Sequence, residues 1–558
     1  MNELTAGVAA PPETAGTVEA PSAGRGRAPW FVLAAAALLF FWQLGERPLY
    51  STDEGRYALS GREMLESGDW IVPTLTGVPY LDKPPMMFWL EATGMAIFGK
   101  NEFGARFFFA AVALLGVWLA FLLGREMGGR DAGVATAAML AGSALYLVLA
   151  RVLVTDMLLS VAILGAFVGF WRAWNGKSGA MGMWVALALA FLSKGPVGPA
   201  LFVFGAAPCW LLARPRPPLK VFRPALGPLV WALLALPWTV ILCIKVPSYF
   251  EFFFWRENIQ ALGSSSVHHP KPWYYALYGS LGGFVPWTLL LPAALVGAWK
   301  ELRAKGRAAD PAVLLALFWS ATTMALFTIS SSKLATYFLP MMPALAFLVA
   351  RSLCAPDGPR RAAAWTLGTL AALAPVAAVV AVIADKQDLC TFWMPIAAVV
   401  AAAGFAVAAR FLALNRTPAA LQSALAGLAL ASIPGVFVLA PFHNNRSPAS
   451  ILARNADSLR AADAILNDGD RVGYVEWSLR LPVTYLGNPH DFLSGRNLAP
   501  EKGRFLENDQ LPAFLKAHPR TFLLLAERKR KDLPEEYPSF REVDSDQGHI
   551  LLISSETK

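Results

Sequence analysis

Charge is what this sequence has least of. Only 16% of its 558 residues are Asp, Glu, Lys or Arg, against 56% that are apolar, whereas a soluble domain carries about 25% charge. Mean hydropathy is +0.46. These figures exclude a purely soluble enzyme and a disordered chain. Cysteine is equally sparse: Cys209, Cys243, Cys354 and Cys390 are the whole supply, with no CxxC pair. That excludes a disulfide scaffold and a zinc-thiolate site. There is no repeat of fixed period, and no glycine-rich phosphate loop opens a helix. The net charge of +9 is modest and sits mostly in short loops, which is membrane-orientation chemistry and not a nucleic-acid footprint.

What is present is a long series of apolar runs, so the chain reads as an α-helical polytopic membrane protein. Residues 1–28 are rich in Ala, Gly, Pro and Thr and are expected to be a disordered cytoplasmic tail. The transmembrane domain is expected over 29–441, with a retained first span near 30–45 and further spans near 103–124, 132–150, 157–173, 181–192, 197–213, 224–244, 274–297, 311–329, 337–351, 363–384, 391–410 and 418–440. Arg125 and Arg130, Arg172 and Lys177, Arg214 to Arg223, Lys300 to Arg307, Arg351 to Arg361, and Arg410 with Arg416 fill alternate loops. All fall on the cytoplasmic side only if SKGPVGP, 193–199, breaks 181–213 into two short helices. The positive-inside rule therefore selects about 13 transmembrane helices. Residues 46–102 form an outer loop with amphipathic interfacial helices expected over 53–67 and 84–98. From 442 to 558 the pattern changes to a small C-terminal periplasmic α/β domain, with strands expected at 471–477, 521–527 and 549–554 and helix over 449–466.

Ionisable residues near membrane depth are the functional signal in such a chain. They collect on the outer side. Asp53, Arg56 and Tyr57 have i, i+3, i+4 spacing and share one helix face, although Ser51, Thr52 or Asp53 would also serve as a plain helix cap. Asp82 and Lys83 precede Pro84 and Pro85, which stiffen the entry to the next helix and hold Lys83 in place. Arg151 and Asp156 flank a short loop, where Asp156 is either a cap or a second acid. Glu251, Arg256, Glu257, His268, His269 and Lys271 lie among aromatics, and Lys333 and Tyr337 follow at i, i+4. Fixed cations at that depth suit a lipid phosphate, and acids suit a general base or a sugar contact. The residues alone yield an outer-facing enzyme or a transporter for a phosphorylated lipid.

The stretch DEGRYALSGREMLESGDWIVPTLTGVPYLDKPPMMFWLEA, continuing to FGKNEFGAR (53–106), resembles the first outer loop of the lipid A 4-amino-4-deoxy-L-arabinose transferases, relatives of the protein O-mannosyltransferases. FFFWRENIQ, HHPKPWYY and SKLATYFLPMMPALA are similar to later segments of that family. The resemblance implies a C-type glycosyltransferase fold and transfer of a sugar, with inversion, from a polyprenyl-phosphate carrier to an acceptor at the periplasmic face of the inner membrane. It implies catalytic roles for Asp53 and Asp156, donor-phosphate contacts from Lys83, Arg256, Lys333 and Tyr337, and a cavity lined by Arg56, Tyr57 and Tyr80. It requires no cofactor; a divalent metal, if used, would sit at Asp82 and His268. The implied partners are an undecaprenyl phosphate-linked sugar, lipid A or another periplasmic acceptor, and membrane lipids, with no nucleic acid. Another sugar and acceptor, such as lipopolysaccharide core, another glycan or a protein, is the alternative within the class. A lipid-linked sugar transporter is the alternative outside it.

Overall fold

Thirteen apolar stretches were expected, and each coincides with helix. The computed structural model describes residues 25–49, 53–260, 271–330, 333–384, 393–444, 447–468, 472–487, 504–532, 540–546 and 548–554. Among these, seven helices are long and apolar enough to cross a membrane by length and composition, with an eighth if one bent pair counts as a single span. Four more apolar helices are shorter. In chain order the first nine helices are α1 (Ala28–Phe41), α2 (Asp53–Ser67), α3 (Met86–Phe98), α4 (Glu102–Ala141), α5 (Ala144–Leu149), α6 (Thr155–Trp174), α7 (Ala180–Lys194), α8 (Val197–Leu212) and α9 (Leu226–Lys245). Later apolar helices span Pro311–Ile329, Met342–Cys354, Arg360–Ala384, Trp393–Ala413 and Thr417–Asn444.

The break expected between 103–124 and 132–150 falls inside α4, and the expected span over 274–297 is interrupted. The 40 residues of α4 are two arms joined at Gly129, whose φ of +86° breaks the helix; only glycine takes that conformation without strain. The arms pack back on each other so closely that a Cβ on Gly133 would meet the Phe121 carbonyl oxygen at 2.7 Å. The expected span over 274–297 is not continuous. It divides into Tyr275–Gly283 and a second piece bent by 104°, at a break that contains Pro286. The break expected at 193–199 is present: α7 ends at Gly195, φ +67°, and α8 begins after Pro196.

The basic loops gather on one face. Glu126 is ion-paired with Arg125, Arg172 and Lys177. The Arg214 amide donates to the Arg307 carbonyl. Arg351 pairs with Glu301 and Asp310, and Arg360 donates to Asn415. Six chain reversals that sequence alone placed on the same side are thus in contact in two groups, the first with the second and the third through the sixth. The opposite face carries α2, α3 and a two-stranded ribbon, β1 (Thr74–Leu75) with β2 (Val78–Pro79), which form a roof over the bundle. The roof is pinned to α9 by Lys245 with Asp69 and by the Trp238 indole donating to the Ile71 carbonyl.

The C-terminal part is a six-stranded sheet of order β5-β4-β3-β6-β8-β7, comprising β3 (Ala464–Asn467), β4 (Thr484–Leu486), β5 (Phe505–Leu506), β6 (Thr521–Ala526), β7 (Phe540–Asp546) and β8 (His549–Ser554). The strands expected at 521–527 and 549–554 are there and pair antiparallel. The strand expected at 471–477 is instead a helix, Tyr474–Leu479. Its side chains are buried on both sides, against the roof and the sheet, so tertiary packing overrides a strand-like pattern. The helix expected over 449–466 stops at Arg460, and its last apolar residues become β3, the parallel strand between β4 and β6.

Candidate active site

Two neighbouring acids at the start of α2 build the site from opposite roles. Glu54 is fully buried and accepts from the Arg106 Nε at 2.9 Å, from Arg47 at 3.1 Å and from the Leu153 amide at 3.1 Å. Arg106 also donates to the carbonyls of Leu44, Arg47 and Pro48, and Arg151 to those of Leu39 and Trp42 at the C-terminal end of α1. Those carbonyls carry the negative end of the helix dipole, which suits a guanidinium. Three arginines and one carboxylate thus tie the end of α1, the start of α2, the start of α4 and the loop before α6 into one node. Sequence reading treated Glu54 as a first-turn acid and did not single out Arg106. A lone arginine beside the NEFGAR turn was the available signal.

That node fixes what projects from it. Asp53, on the other side of the same turn, is 53% exposed and ion-paired with Arg56. Arg56 lies 5.9 Å from the Tyr57 ring centroid, and the Tyr57 and Tyr80 rings are 6.5 Å apart. Tyr57 is buried. Desolvation first, then the carboxylates of Asp53, Asp82 and Asp156, push its phenol well above its ordinary value, against the opposing pull of Arg56. All three acids therefore lie within electrostatic reach of one hydroxyl. Asp156, in the first turn of α6, accepts from the Lys194 ammonium at 2.6 Å, and that ammonium sits 4.3 Å from the Tyr337 ring centroid.

Lys194 was missed. The SKGPVGP segment was read only as a helix break. An ionisable residue ending an apolar run is a functional signal in its own right, and here it delivers a cation to Asp156. Lys83 donates to the Asp82 carbonyl at 3.3 Å and is half-buried. Lys333 is buried and donates to the carbonyls of Ser330 at 2.5 Å and Lys271 at 3.2 Å. Those bonds make it a tie between two loops. The structure thus brings together Asp53, Arg56, Tyr57, Tyr80, Asp82, Asp156, Lys194 and Tyr337, and leaves Lys333 as a strut. His268 lies outside the described residues, and the side chain of Arg256 is not described. No cluster of three His, Cys, Asp or Glu side chains able to hold a metal occurs among the described residues.

One turn before Lys194, Phe191 begins an apolar groove of about 560 Å³ between α7, α9 and the segment Glu251–Gln260. Trp231, Val240, Ile244, Phe250 and Phe254 line it.

Known proteins resemble this chain in sequence and in fold. A family model described as dolichyl-phosphate-mannose-protein mannosyltransferase matches residues 82–241. An undecaprenyl phosphate-α-4-amino-4-deoxy-L-arabinose arabinosyl transferase of Pseudomonas fluorescens is 30% identical over 82% of this chain and 84% of its own length. That of Edwardsiella ictaluri is 35% identical, and the match spans 58% of each chain. Crystal structures of ArnT from Cupriavidus metallidurans, 25% identical, superpose with a TM-score of 0.82: the apo form covers 95% of this chain and 98% of its own. The form bound to undecaprenyl phosphate covers 96% and 99%.

Proposed function

The chain belongs to the undecaprenyl phosphate-α-4-amino-4-deoxy-L-arabinose arabinosyl transferase family of membrane glycosyltransferases, and from that premise we propose how its residues move the sugar and to what. The donor is an undecaprenyl phosphate-linked aminoarabinose, the acceptor is a lipid A phosphate, and transfer takes place on the periplasmic side of the inner membrane, under the roof. The observation that carries the reading is the Lys194–Asp156 pair under Tyr337, with Asp156 and Asp53 both within electrostatic reach of Tyr57.

In this reaction an acceptor phosphate oxygen attacks the anomeric carbon of the sugar. The bond from that carbon to the carrier-phosphate oxygen breaks, and its electron pair leaves with undecaprenyl phosphate. Cations near the leaving oxygen stabilise the charge that grows there. Lys194 and Lys83 take that role. Asp156 holds Lys194 charged and aimed. A phosphate monoester is already anionic near neutral pH, so the nucleophile gives up no proton. Asp53 then stabilises positive charge on the sugar ring, with Arg56 setting its orientation. A hydroxyl acceptor would instead give its proton to Asp53. Transport is disfavoured because the ionisable cluster occupies one face of the bundle and is not strung through both leaflets.

The test uses the purified full chain in lipid nanodiscs with undecaprenyl phosphate-linked aminoarabinose and lipid A, with products identified by mass spectrometry. Aminoarabinose-modified lipid A phosphate is expected from the wild type, and none from Asp53→Asn or Lys194→Met. Wild-type turnover by both variants, or a product bearing the sugar on a hydroxyl, overturns the assignment.

A further inference from the structure

The C-terminal domain touches the helix that carries Asp53 at an unusual closeness. Gly55, two residues after Asp53, lies against Tyr474 such that an added Cβ would stand 2.9 Å from the Tyr474 Cβ and 3.0 Å from its Cα. The opposing residue is also a glycine. Gly473 has a φ of +80°, and a Cβ there would meet the Gly55 carbonyl oxygen at 2.9 Å and the Arg56 Cα at 3.0 Å. Backbone therefore packs on backbone, with a glycine on each side, beside the two residues that form the Asp53–Arg56 ion pair. The Gly473 amide is itself held, donating to the Tyr485 hydroxyl of β4 at 3.0 Å.

Two turns further along α2 the contact is fastened by polar groups. Arg62 donates to the carbonyls of Trp477 and Glu476, both at 3.3 Å, and its guanidinium lies 5.6 Å from the Trp477 ring centroid. The Trp477 indole donates to Glu102 at the start of α4 at 3.1 Å. Arg480 reaches the Lys100 carbonyl at 3.1 Å. Glu476 is buried, and its carboxylate accepts from the Val483 amide at 3.2 Å and from Arg504. These bonds anchor the 473–480 segment to the sheet. A helix held at its first turn by interlocked glycines, and two turns later by a bidentate arginine, can neither rotate nor slide.

We propose that the 473–480 segment of the C-terminal domain is a positioning element for the reaction, in which the Gly55–Gly473 interlock and the Arg62 latch fix the rotation and height of α2, and with it Asp53, Arg56 and Tyr57. This rests on the reading that α2 carries the catalytic acid. The positioning residues are Gly473, Gly55 and Arg62. None of them touches the substrate, and the donor-phosphate cations Lys83 and Lys194 sit on other segments. Loosening the interlock therefore lowers kcat and leaves carrier-lipid binding alone.

The experiment compares Gly473→Ala with Gly487→Ala in the full-length protein. Gly487 also has a positive φ, +76°, but faces open space, so it reports the cost of strain in the same domain without the interlock. Gly473→Ala is expected to lose at least tenfold in kcat relative to Gly487→Ala, with unchanged affinity for undecaprenyl phosphate. It should also give faster hydrogen exchange over 53–67. Arg62→Met provides the second route should Gly473→Ala not fold; it loses kcat, and Arg62→Lys restores part of it. Equal kcat and equal exchange in the two glycine variants, or full activity in Arg62→Met, overturns the proposal. A wild type inactive on the aminoarabinose donor counts against the substrate reading alone, because exchange over 53–67 still decides the interlock.

Discussion

Asp53 and Glu54 are adjacent in sequence, share a helix turn and live in opposite surroundings. The Glu54 side chain is 0% exposed, its oxygens taken up by Arg47, Arg106 and the Leu153 amide. That of Asp53 is 53% exposed and paired with Arg56. A saturated buried carboxylate is bound up in holding four chain segments together and has no capacity left for a substrate. An open one, paired with Arg56, has that capacity. The same contrast separates two lysines, Lys333, which was expected at the donor phosphate, and Lys194, which the sequence analysis did not single out. Lys333 is buried against loop carbonyls, whereas Lys194 pairs with an acid beside an apolar groove.

The sharpest way to break the first contrast is to neutralise each acid in turn. Asp53→Asn should lower turnover by about 10²–10⁴-fold, the range for a positioned acid or base group, with stability changed by less than about 0.5 kcal/mol, as for surface sites. Glu54→Ala should do the reverse in kind. Removing one partner of a buried ion pair strands the others and costs about 3–5 kcal/mol, so folded yield and melting temperature fall. Thermal unfolding in detergent measured beside turnover checks both. An Asp53→Asn protein that melts early and still turns over would invert the comparison.

The lysines come next in size. Lys83→Ala should weaken transition-state stabilisation by about 2–4 kcal/mol, as for a lost oxyanion donor, read as kcat/KM for the lipid-linked donor. Lys333→Ala removes bonds between loops worth about 1 kcal/mol each, so it should lower the melting temperature and leave donor kinetics in place. Donor kinetics that collapse in Lys333→Ala would return that residue to the phosphate site.

Most of the architecture was legible because membrane physics is written in composition. Hydropathy gave the helices, and the alternating loop arginines grouped the reversals that meet where Glu126 gathers three basic residues and Arg351 two acids. The Asp53–Arg56–Tyr57 face was legible because helical spacing joins residues close in sequence. What spacing cannot reach is contact across many residues. Arg106 meets Glu54 from 52 positions away and Lys194 meets Asp156 from 38. The helix Tyr474–Leu479 was misread for the same reason: its alternating apolar side chains pack on α2, an element over 400 residues earlier.

At the C-terminal latch the expected effect is on stability and not on turnover, and it sharpens the contrast between saturated and open carboxylates. Burial pushes the Glu476 carboxyl up to about 7, opposed by Arg504 and assisted by Glu63, with Arg62 also facing it. One oxygen accepts bonds; the other, Oε2, has no partner among the described residues. Its folded value lies above that of the unfolded chain, near 4.5. The folded domain therefore holds the proton more tightly than the unfolded chain does. The stabilisation from that proton is complete below pH 4.5 and is lost as pH rises through about 7. The loss is on the order of 3 kcal/mol across that window. Melting temperature should fall between about pH 5 and about pH 7 and then level. Glu476→Gln, which keeps the shape and removes the ionisation, should flatten that slope. A slope unchanged in Glu476→Gln would assign the titration to another buried carboxyl, Glu63 being the nearest named, and would leave the latch standing on its backbone contacts alone.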